Sequence, residues 1–565
     1  MAEQGEAAGA AVGQSVVMGA GIMMAATVAS RILGWVRDRS IGHYFGVSRH
    51  ADAYWAAFNV PDLLYYLLAG GALSAALIPV LTGYLVREQR EEGWRMVNTL
   101  ATLLVLLVAA GAALIVIFAP YLVWVAAPGF HRDPARFAEC VLYTRIMGPM
   151  VLFTVLSALS TGVLQAFRHF TAPSAAWLMY NAGIIFGVLA LSRHLGIVGI
   201  CIGVLMGAAL MVAVQVPSLV KRGYRFRPAL ELKHEGVQAT IRLFLPVMAG
   251  LAFTQIGLLW LPGFFGSFFP EGVLSSLRYA NRLVILPLGM FAIAISTAAF
   301  PALAAQVAQG KQEQFRRTLA DSLRALLALS VPSAVGLAVL AEPIMRLLWQ
   351  SGEFGDRAVA MGSYALVFYS GGLVALGVMQ VVNRGFYSLK DTVTPPVVGV
   401  AYVALNMVVA VALMRTPLQY GAISLAASLS ATAGCLVLVW LLARRLGGIH
   451  GRELAASLGK ISLASAALGL AAWAVAGALG RKLGVPVTDF SLAAPQFPSA
   501  TWGMGPSAVS RLHVLVQAAA AIAAGSAAYL AVMWALRASE LEATTQAIKR
   551  RLGRTPRAQE VEGGG

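Results

Sequence analysis

The chain has 565 residues, 59% of them hydrophobic and 12% charged, with a formal net charge of +17. A soluble domain carries about 25% charged residues, so the composition excludes an ordinary soluble protein and describes an all-α polytopic membrane protein. The positive charge lies mostly in short loops and in the tail, where it sets topology, so nucleic acid is not an expected partner.

Apolar stretches near the length of a membrane-spanning helix recur from end to end. They centre on 16–33, 53–81, 97–118, 141–164, 172–191, 195–219, 243–265 and 274–305, then on 326–340, 361–382, 396–414, 421–442, 461–479 and 512–536. This predicts about fourteen spans. An outer-membrane barrel is excluded, because its strands would alternate with period two over about ten residues. Cys140, Cys201 and Cys435 lie in or beside apolar segments and show neither disulfide nor metal spacing. No His-Glu-x-x-His pattern and no P-loop occurs, so neither a metal nor ATP hydrolysis is expected. The first fifteen residues hold no Lys or Arg, so no cleaved signal peptide is expected.

An even number of spans puts both termini on one side. Lys221, Arg222, Arg225, Arg227 and Lys233 form one basic loop on that side; Lys311, Arg316 and Arg317 form another, and Arg444, Arg445 and Arg452 a third. The positive-inside rule makes that side cytoplasmic. Arg31, Arg37, Arg39 and Arg49 stand against this bias, toward the other side. A solvated loop is one explanation; an anion site within a cavity is the other.

Weak internal repetition orders the chain further. Ala76-Leu77-Ile78-Pro79-Val80-Leu81 resembles Ala298-Ala299-Phe300-Pro301-Ala302-Leu303, and Phe167, Thr171, Pro173 and Asn181 run parallel to Phe386, Thr394, Pro395 and Asn406. The offset is about 220 residues, or six spans, which predicts two parallel six-helix repeats with a site between them. The expected organisation is an N-lobe of helices 1–6 over residues 1–225 and a C-lobe of helices 7–12 over 226–450. Two C-terminal helices follow over 451–540, then a cytoplasmic tail over 541–565.

The residues able to carry chemistry are charged and close to the spans. With 30–38 helical, Ser30 stacks with Arg37 and Arg31 with Asp38. Arg31 and Arg37 then point about 120° apart around a groove, where Asp38 holds one guanidinium. Planar guanidinium forks suit phosphate; an Arg–Asp pair sealing a helix end is the competing reading. In the other half, Arg278 and Arg282 stand at i and i+4 on one side of the eighth span. They either converge with the first cluster on a cavity or snorkel to headgroups. Pro61, Gly70, Gly71 and Pro79 in the second span, and Pro287 and Gly289 in the eighth, are expected to break their helices around a cavity.

The run Ser30-Arg31-Ile32-Leu33-Gly34-Trp35-Val36-Arg37-Asp38, followed by Phe45-Gly46 and Asp52-Ala53, resembles the signature of the MurJ/MviN lipid II flippases. Pro61-Asp62-Leu63-Leu64, the run from Gly71 to Leu81, Ala126-Ala127-Pro128-Gly129-Phe130, Ala280-Asn281-Arg282-Leu283 and Gly385-Phe386-Tyr387-Ser388 extend the likeness over most of the chain. The resemblance implies the fold of the multidrug/oligosaccharidyl-lipid/polysaccharide exporters, with the last two helices lining a groove for a polyprenyl tail. It implies lipid II, an undecaprenyl-pyrophosphate-linked peptidoglycan precursor, as cargo in the bacterial inner membrane, a monomer among membrane lipids, and no enzymatic step or cofactor. By position it makes Arg31, Arg37, Asp38 and Arg282 cavity residues, supported by Ser30 and Asp52.

Departures from the family pattern are specific. Tyr65 and Tyr66 stand where arginine is usual, Gly70 and Ile285 where glutamate is usual, and Asn59 where lysine is common. Arg278, one turn from Arg282, is the expected replacement for the missing cation. Leu261 stands near the acid of a sodium site described in some relatives, so sodium is not expected. The alternatives are a flippase for another polyprenyl-linked glycan or a multidrug exporter of the same superfamily, which would want acidic cavity residues. More distant is a membrane enzyme acting on polyprenyl phosphates, which would need an acidic metal site or a large catalytic loop.

Overall fold

Apolar runs this long can satisfy their backbone in lipid only as helices, and the protein is built of helices. The computed structural model describes residues 26–68, 72–255, 260–488, 490 and 510–538, and no strand occurs among them. Helix α1 spans 26–45. Then come α2 (Arg49–Leu68), α3 (Ala72–Val86), α4 (Arg90–Ala126), α5 (Pro134–Met147), α6 (Met150–Ala166), α7 (Thr171–Phe186), the short α8 (Ser192–Leu195), α9 (Ile197–Ala213) and α10 (Val216–Val220). The second half comprises α11 (Glu235–Gln255), α12 (Leu261–Gly266), α13 (Val273–Pro287), α14 (Ile293–Ala308), α15 (Gln312–Val339), α16 (Ala341–Trp349), α17 (Asp356–Ser388), α18 (Thr394–Leu413) and α19 (Gly421–Leu446). Helices α20 (Gly451–Leu483) and α21 (Arg511–Ala535) complete it.

Eleven stretches among the described residues are long and apolar enough to cross a membrane, making this a multi-pass membrane protein. The other three expected spans, the first, second and seventh, each include residues outside the described set. Leu107, Leu114, Ile117 and Trp124 of α4 are more than half exposed, the inverse of a soluble helix and the pattern expected of a lipid-facing one. The expected cytoplasmic tail over 541–565 lies outside the described residues.

Local signals set the ends. Pro134 opens α5, where the Asp133 side chain accepts from Arg136 N at 3.1 Å. Gly447 (φ +69°) and Gly484 (φ +67°) close α19 and α20 in the left-handed region that favours glycine. The chain stays helical through Pro61, so that proline makes no break. Helix α3 likewise runs through Pro79, and Gly70 and Gly71, also expected to break the second span, lie outside the described residues. The eighth divides at Pro287, where a π turn over Leu288–Ala292 separates α13 from α14. Helix α20 runs past Gly480 to Leu483, farther than its apolar run.

The internal repeat is written in the backbone. Glu88 (φ +61°) and Gly310 (φ +68°) end α3 and α14 in the same left-handed conformation, 222 positions apart. In these turns Gln89 N donates to Tyr84 O and Lys311 N to Gln306 O, at 3.0 and 2.9 Å. Arg168 (φ +56°) and Lys390 (φ +61°) repeat the relation after α6 and α17, again 222 apart; His169 N donates to Leu164 O and Asp391 N to Phe386 O. Within the first half α2 packs on α5, α3 and α4 on α6, and α7 on α9; within the second, α13, α15 and α19 pack on α17 and α18 on α19. Helices α20 and α21 pack together, with α20 against α15.

Ties between residues 26–220 and 260–446 are found at the end carrying the 266–272 turn, opposite the basic loops. There Arg39 donates to the carbonyls of Leu347 and Leu348, Glu353 N to His43 O at 2.8 Å, and Gly129 N to Ser267 Oγ at 3.0 Å. The strongest tie centres on Asp52, which is 0% exposed. It faces Arg136 Nη2 at 2.6 Å, accepts from Gly272 N and Ser275 N at 2.7 Å each, and accepts from the Ser275 hydroxyl. One carboxylate thus holds α5 and satisfies free N–H groups at the start of α13.

Candidate functional site

A cavity of about 500 Å³ lies between α1, α2 and α7 on one side and α12 and α13 on the other. Four arginines line it, Arg31 and Arg37 from α1 and Arg278 and Arg282 from α13, with two carboxylates, Asp38 and Asp62. The two cation clusters found in the sequence thus share one chamber.

Helix α1 presents its charges at helical spacing. Arg37 Nε donates to Asp38 Oδ1 at 2.8 Å, and Arg37 Nη1 donates to Asn181 Oδ1 at 3.2 Å. The amide nitrogen of Asn181 donates to Ser30 Oγ at 3.3 Å and Ser30 O at 3.4 Å. Ser30 and Arg37, seven positions apart, therefore meet one partner on α7, as their stacking requires. The other oxygen of Asp38 lies 3.0 Å from Arg282 Nε. Asp38 engages two guanidiniums, one per oxygen and from two helices, where the sequence reading expected it to hold one. Its side chain is 7% exposed, whereas Arg282 remains 40% exposed and presents donors to the cavity.

Arg278 is fixed differently. Its Nη1 donates to Asn59 Oδ1 at 3.0 Å, and its guanidinium stacks on the Trp55 ring 4.8 Å from the centroid. Arg31 is exposed and lies over the π turn, where a Cβ on Gly289 would come within 2.6 Å of its Nη1. A side chain there would push the Arg31 guanidinium aside. On the facing helix, a Cβ added at Gly34 would stand 3.3 Å from Arg282 Nη2.

Among the seven residues singled out in sequence, Ser30, Arg31, Arg37, Asp38, Arg278 and Arg282 line the cavity. Asp52 does not. It is sealed in the tie between α2, α5 and α13, where its oxygens are already used. Its expected support of the cavity is corrected to the holding of helix ends. Arg39 and Arg49 also point elsewhere: Arg39 to backbone carbonyls, and Arg49 to Glu139 at 2.9 Å. Sequence reading missed Asn181, Asn59 and Asp62 as lining residues. Asn181 carried a signal, as one of the repeat matches, and Asn59 stands 222 positions before Asn281, which also lines the cavity. Tyr65 and Tyr66, in the place of the usual arginines, line it as well.

The fold has counterparts among solved structures. It matches a solved lipid II flippase MurJ in an inward closed conformation with a TM-score of 0.73 at 24% identity, covering 94% of this chain and 99% of that one. An inward-facing multidrug resistance MATE transporter of the MOP superfamily matches with a TM-score of 0.58 at 13% identity, over 73% of this chain and 98% of that one. The sequence narrows the class. The family model described as lipid II flippase MurJ matches residues 41–491. The probable lipid II flippase MurJ of Vibrio cholerae is 33% identical over 401 residues, 68% of this chain and 75% of that protein. The lipid II flippase MurJ of Burkholderia cenocepacia is 29% identical over 375 residues, 65% of this chain and 72% of that protein. The chain belongs to the lipid II flippase MurJ family.

Proposed function

We propose that this protein carries lipid II, the undecaprenyl-pyrophosphate-linked peptidoglycan precursor, across the bacterial inner membrane by alternating access. It works as a monomer, without a cofactor and without making or breaking a covalent bond. Family membership supports the cargo. The observation that carries the mechanism is the meeting of Arg31 and Arg37 with Arg278 and Arg282 around one cavity. Charge-assisted, forked hydrogen bonds to phosphate oxygens are the strongest contacts such side chains make.

In this reading residues 1–225 and 226–450 are two lobes that rock about the cavity, and 451–540 guide the polyprenyl tail. Both termini and the tail from 541 face the cytoplasm, as the basic loops require. The ties around Asp52, His43 and Gly129 then close the outer side while the headgroup enters from the inner leaflet. The arginines grip the diphosphate, Arg278 supplying the cation that Tyr65 and Tyr66 lack. Opening the outer ties releases the cargo. An inside-negative potential assists outward movement of negative charge by about 2.3 kcal/mol per charge per 100 mV, or roughly 4–5 kcal/mol for two charges.

The test is complementation of a strain depleted of its own flippase. Wild type restores growth and lipid II exposure on the outer leaflet, and collapse of the membrane potential stops that exposure. Arg31→Ala, Arg37→Ala and Arg282→Ala fail to restore growth although they reach the membrane. Growth supported by all three would end this reading.

A further inference from the structure

The two carboxylates of the cavity are in opposite circumstances. Asp38 has an arginine on each oxygen. Asp62, one turn after Asn59 on α2, lines the same cavity, is partly buried, and has no hydrogen-bond or ion-pair partner among the described residues. Arg37 and Arg278 are within electrostatic range but are taken up by Asp38, Asn181 and Asn59. A carboxylate within a membrane helix bundle is costly unless it meets a cation or a water-filled space; Asp62 faces the cavity, and neither nearby guanidinium bonds to it directly.

The surroundings of Asp62 are aromatic. Tyr65, Tyr66 and Tyr180 are within its electrostatic range. Tyr65 packs edge-on to Tyr66 at 5.3 Å and to Trp177 at 5.9 Å between ring centroids. All four rings line the cavity. A hard metal ion would want about six or more oxygen ligands, whereas no cluster of three or more acidic, His or Cys groups exists among the described residues. A carboxylate that shares its cavity with tyrosine and tryptophan rings suits an organic ammonium, which can gain both charge pairing and cation–π contact.

We infer that Asp62, with Tyr65, Tyr66 and Trp177, forms a subsite for a protonated primary amine on the cargo headgroup, beside the arginines that take its diphosphate. This rests on the reading under Proposed function and deepens it. The cargo is then bound as a zwitterion, and the cavity selects headgroups that carry a free amine.

The experiment uses the full chain in lipid nanodiscs and three probes. These are lipid II with a lysine side-chain amine in its peptide, the same lipid with that amine acetylated, and undecaprenyl diphosphate. Wild type is expected to bind the amine form roughly tenfold more tightly than the acetylated form, as one desolvated charge contact would give. Asp62→Asn, nearly isosteric, brings the amine form down to the affinity of the acetylated one, while Asp62→Glu keeps part of the preference. Equal affinity of wild type for both forms overturns the subsite, as does an Asp62→Asn protein that still prefers the amine. Sodium binding lost in Asp62→Asn while the amine preference persists also overturns it. Failure of wild type to bind undecaprenyl diphosphate and both lipid II forms defeats the flippase reading itself, a distinct outcome.

Discussion

Asp52 and Asp62 stand ten residues apart on α2 and differ in every respect but chemistry. Asp52 is fully buried, paired with Arg136 and bonded to two backbone N–H groups and a hydroxyl of α13. Asp62 opens on the cavity with no described partner. The comparison separates two uses of a carboxylate in a membrane protein. A satisfied one holds helices together; an unsatisfied one is a demand on whatever enters the cavity. Position in a family signature does not distinguish them, since Asp52 lies in the specific block and Asp62 in a weaker one.

The largest expected effect breaks the first member. Asp52→Ala leaves Arg136 buried without its carboxylate and frees the N–H groups of Gly272 and Ser275, costing about 3–5 kcal/mol. A marked fall in the thermal unfolding midpoint in detergent, with Arg136→Met/Asp52→Leu recovering part of it, checks this. Next come the cavity arginines. Arg37→Ala or Arg282→Ala removes charged hydrogen bonds that contribute about 1.5–3 kcal/mol each, expected as weaker lipid II binding with the fold retained. Arg278→Ala is expected to slow flipping comparably, and unchanged flipping would remove its role as the replacement cation.

Asp62 is expected to respond with the opposite sign to Asp52. Neutralising an unpartnered carboxylate relieves a desolvation cost, so Asp62→Asn raises stability by up to about 1 kcal/mol while losing amine preference. A destabilised Asp62→Asn protein would show that the carboxylate is held after all.

An effect of similar size, and one that pH removes, lies on the basic end. Burial pushes the Asp391 carboxyl up, but hydrogen bonds from Thr394 and Val393 and the nearby Arg445 pull it down further, so its pKa is lowered overall. Its stabilising contribution is therefore complete above the unfolded carboxylate value near 4 and fades as pH falls through the lower folded value. Asp391→Ala is expected to cost about 1 kcal/mol at neutral pH, a difference from wild type that shrinks under strong acid.

Much of the fold was legible because lipid imposes it. Apolar runs must be helical, and the repeat that surfaced as scattered matches near Pro79 and Pro301 is a 222-residue offset in the turn geometry itself. The cation clusters were legible because arginine in an apolar run needs a reason. What escaped depended on distant partners. Asn181 meets Arg37 across 144 positions, and Asp52 meets Ser275 across 223; no local pattern foretells either pairing. Pro61 shows the reverse error, a breaker residue that the packed bundle absorbs into a continuous helix.

The central claim is that guanidiniums from both repeats bind one diphosphate. Its most direct test is the affinity of the purified protein for undecaprenyl diphosphate, with Arg37→Ala and Arg282→Ala measured singly and together. The account predicts that each substitution weakens binding by roughly tenfold or more, and that the double variant weakens it further. Affinity unchanged by either substitution, in proteins that remain folded, would contradict it.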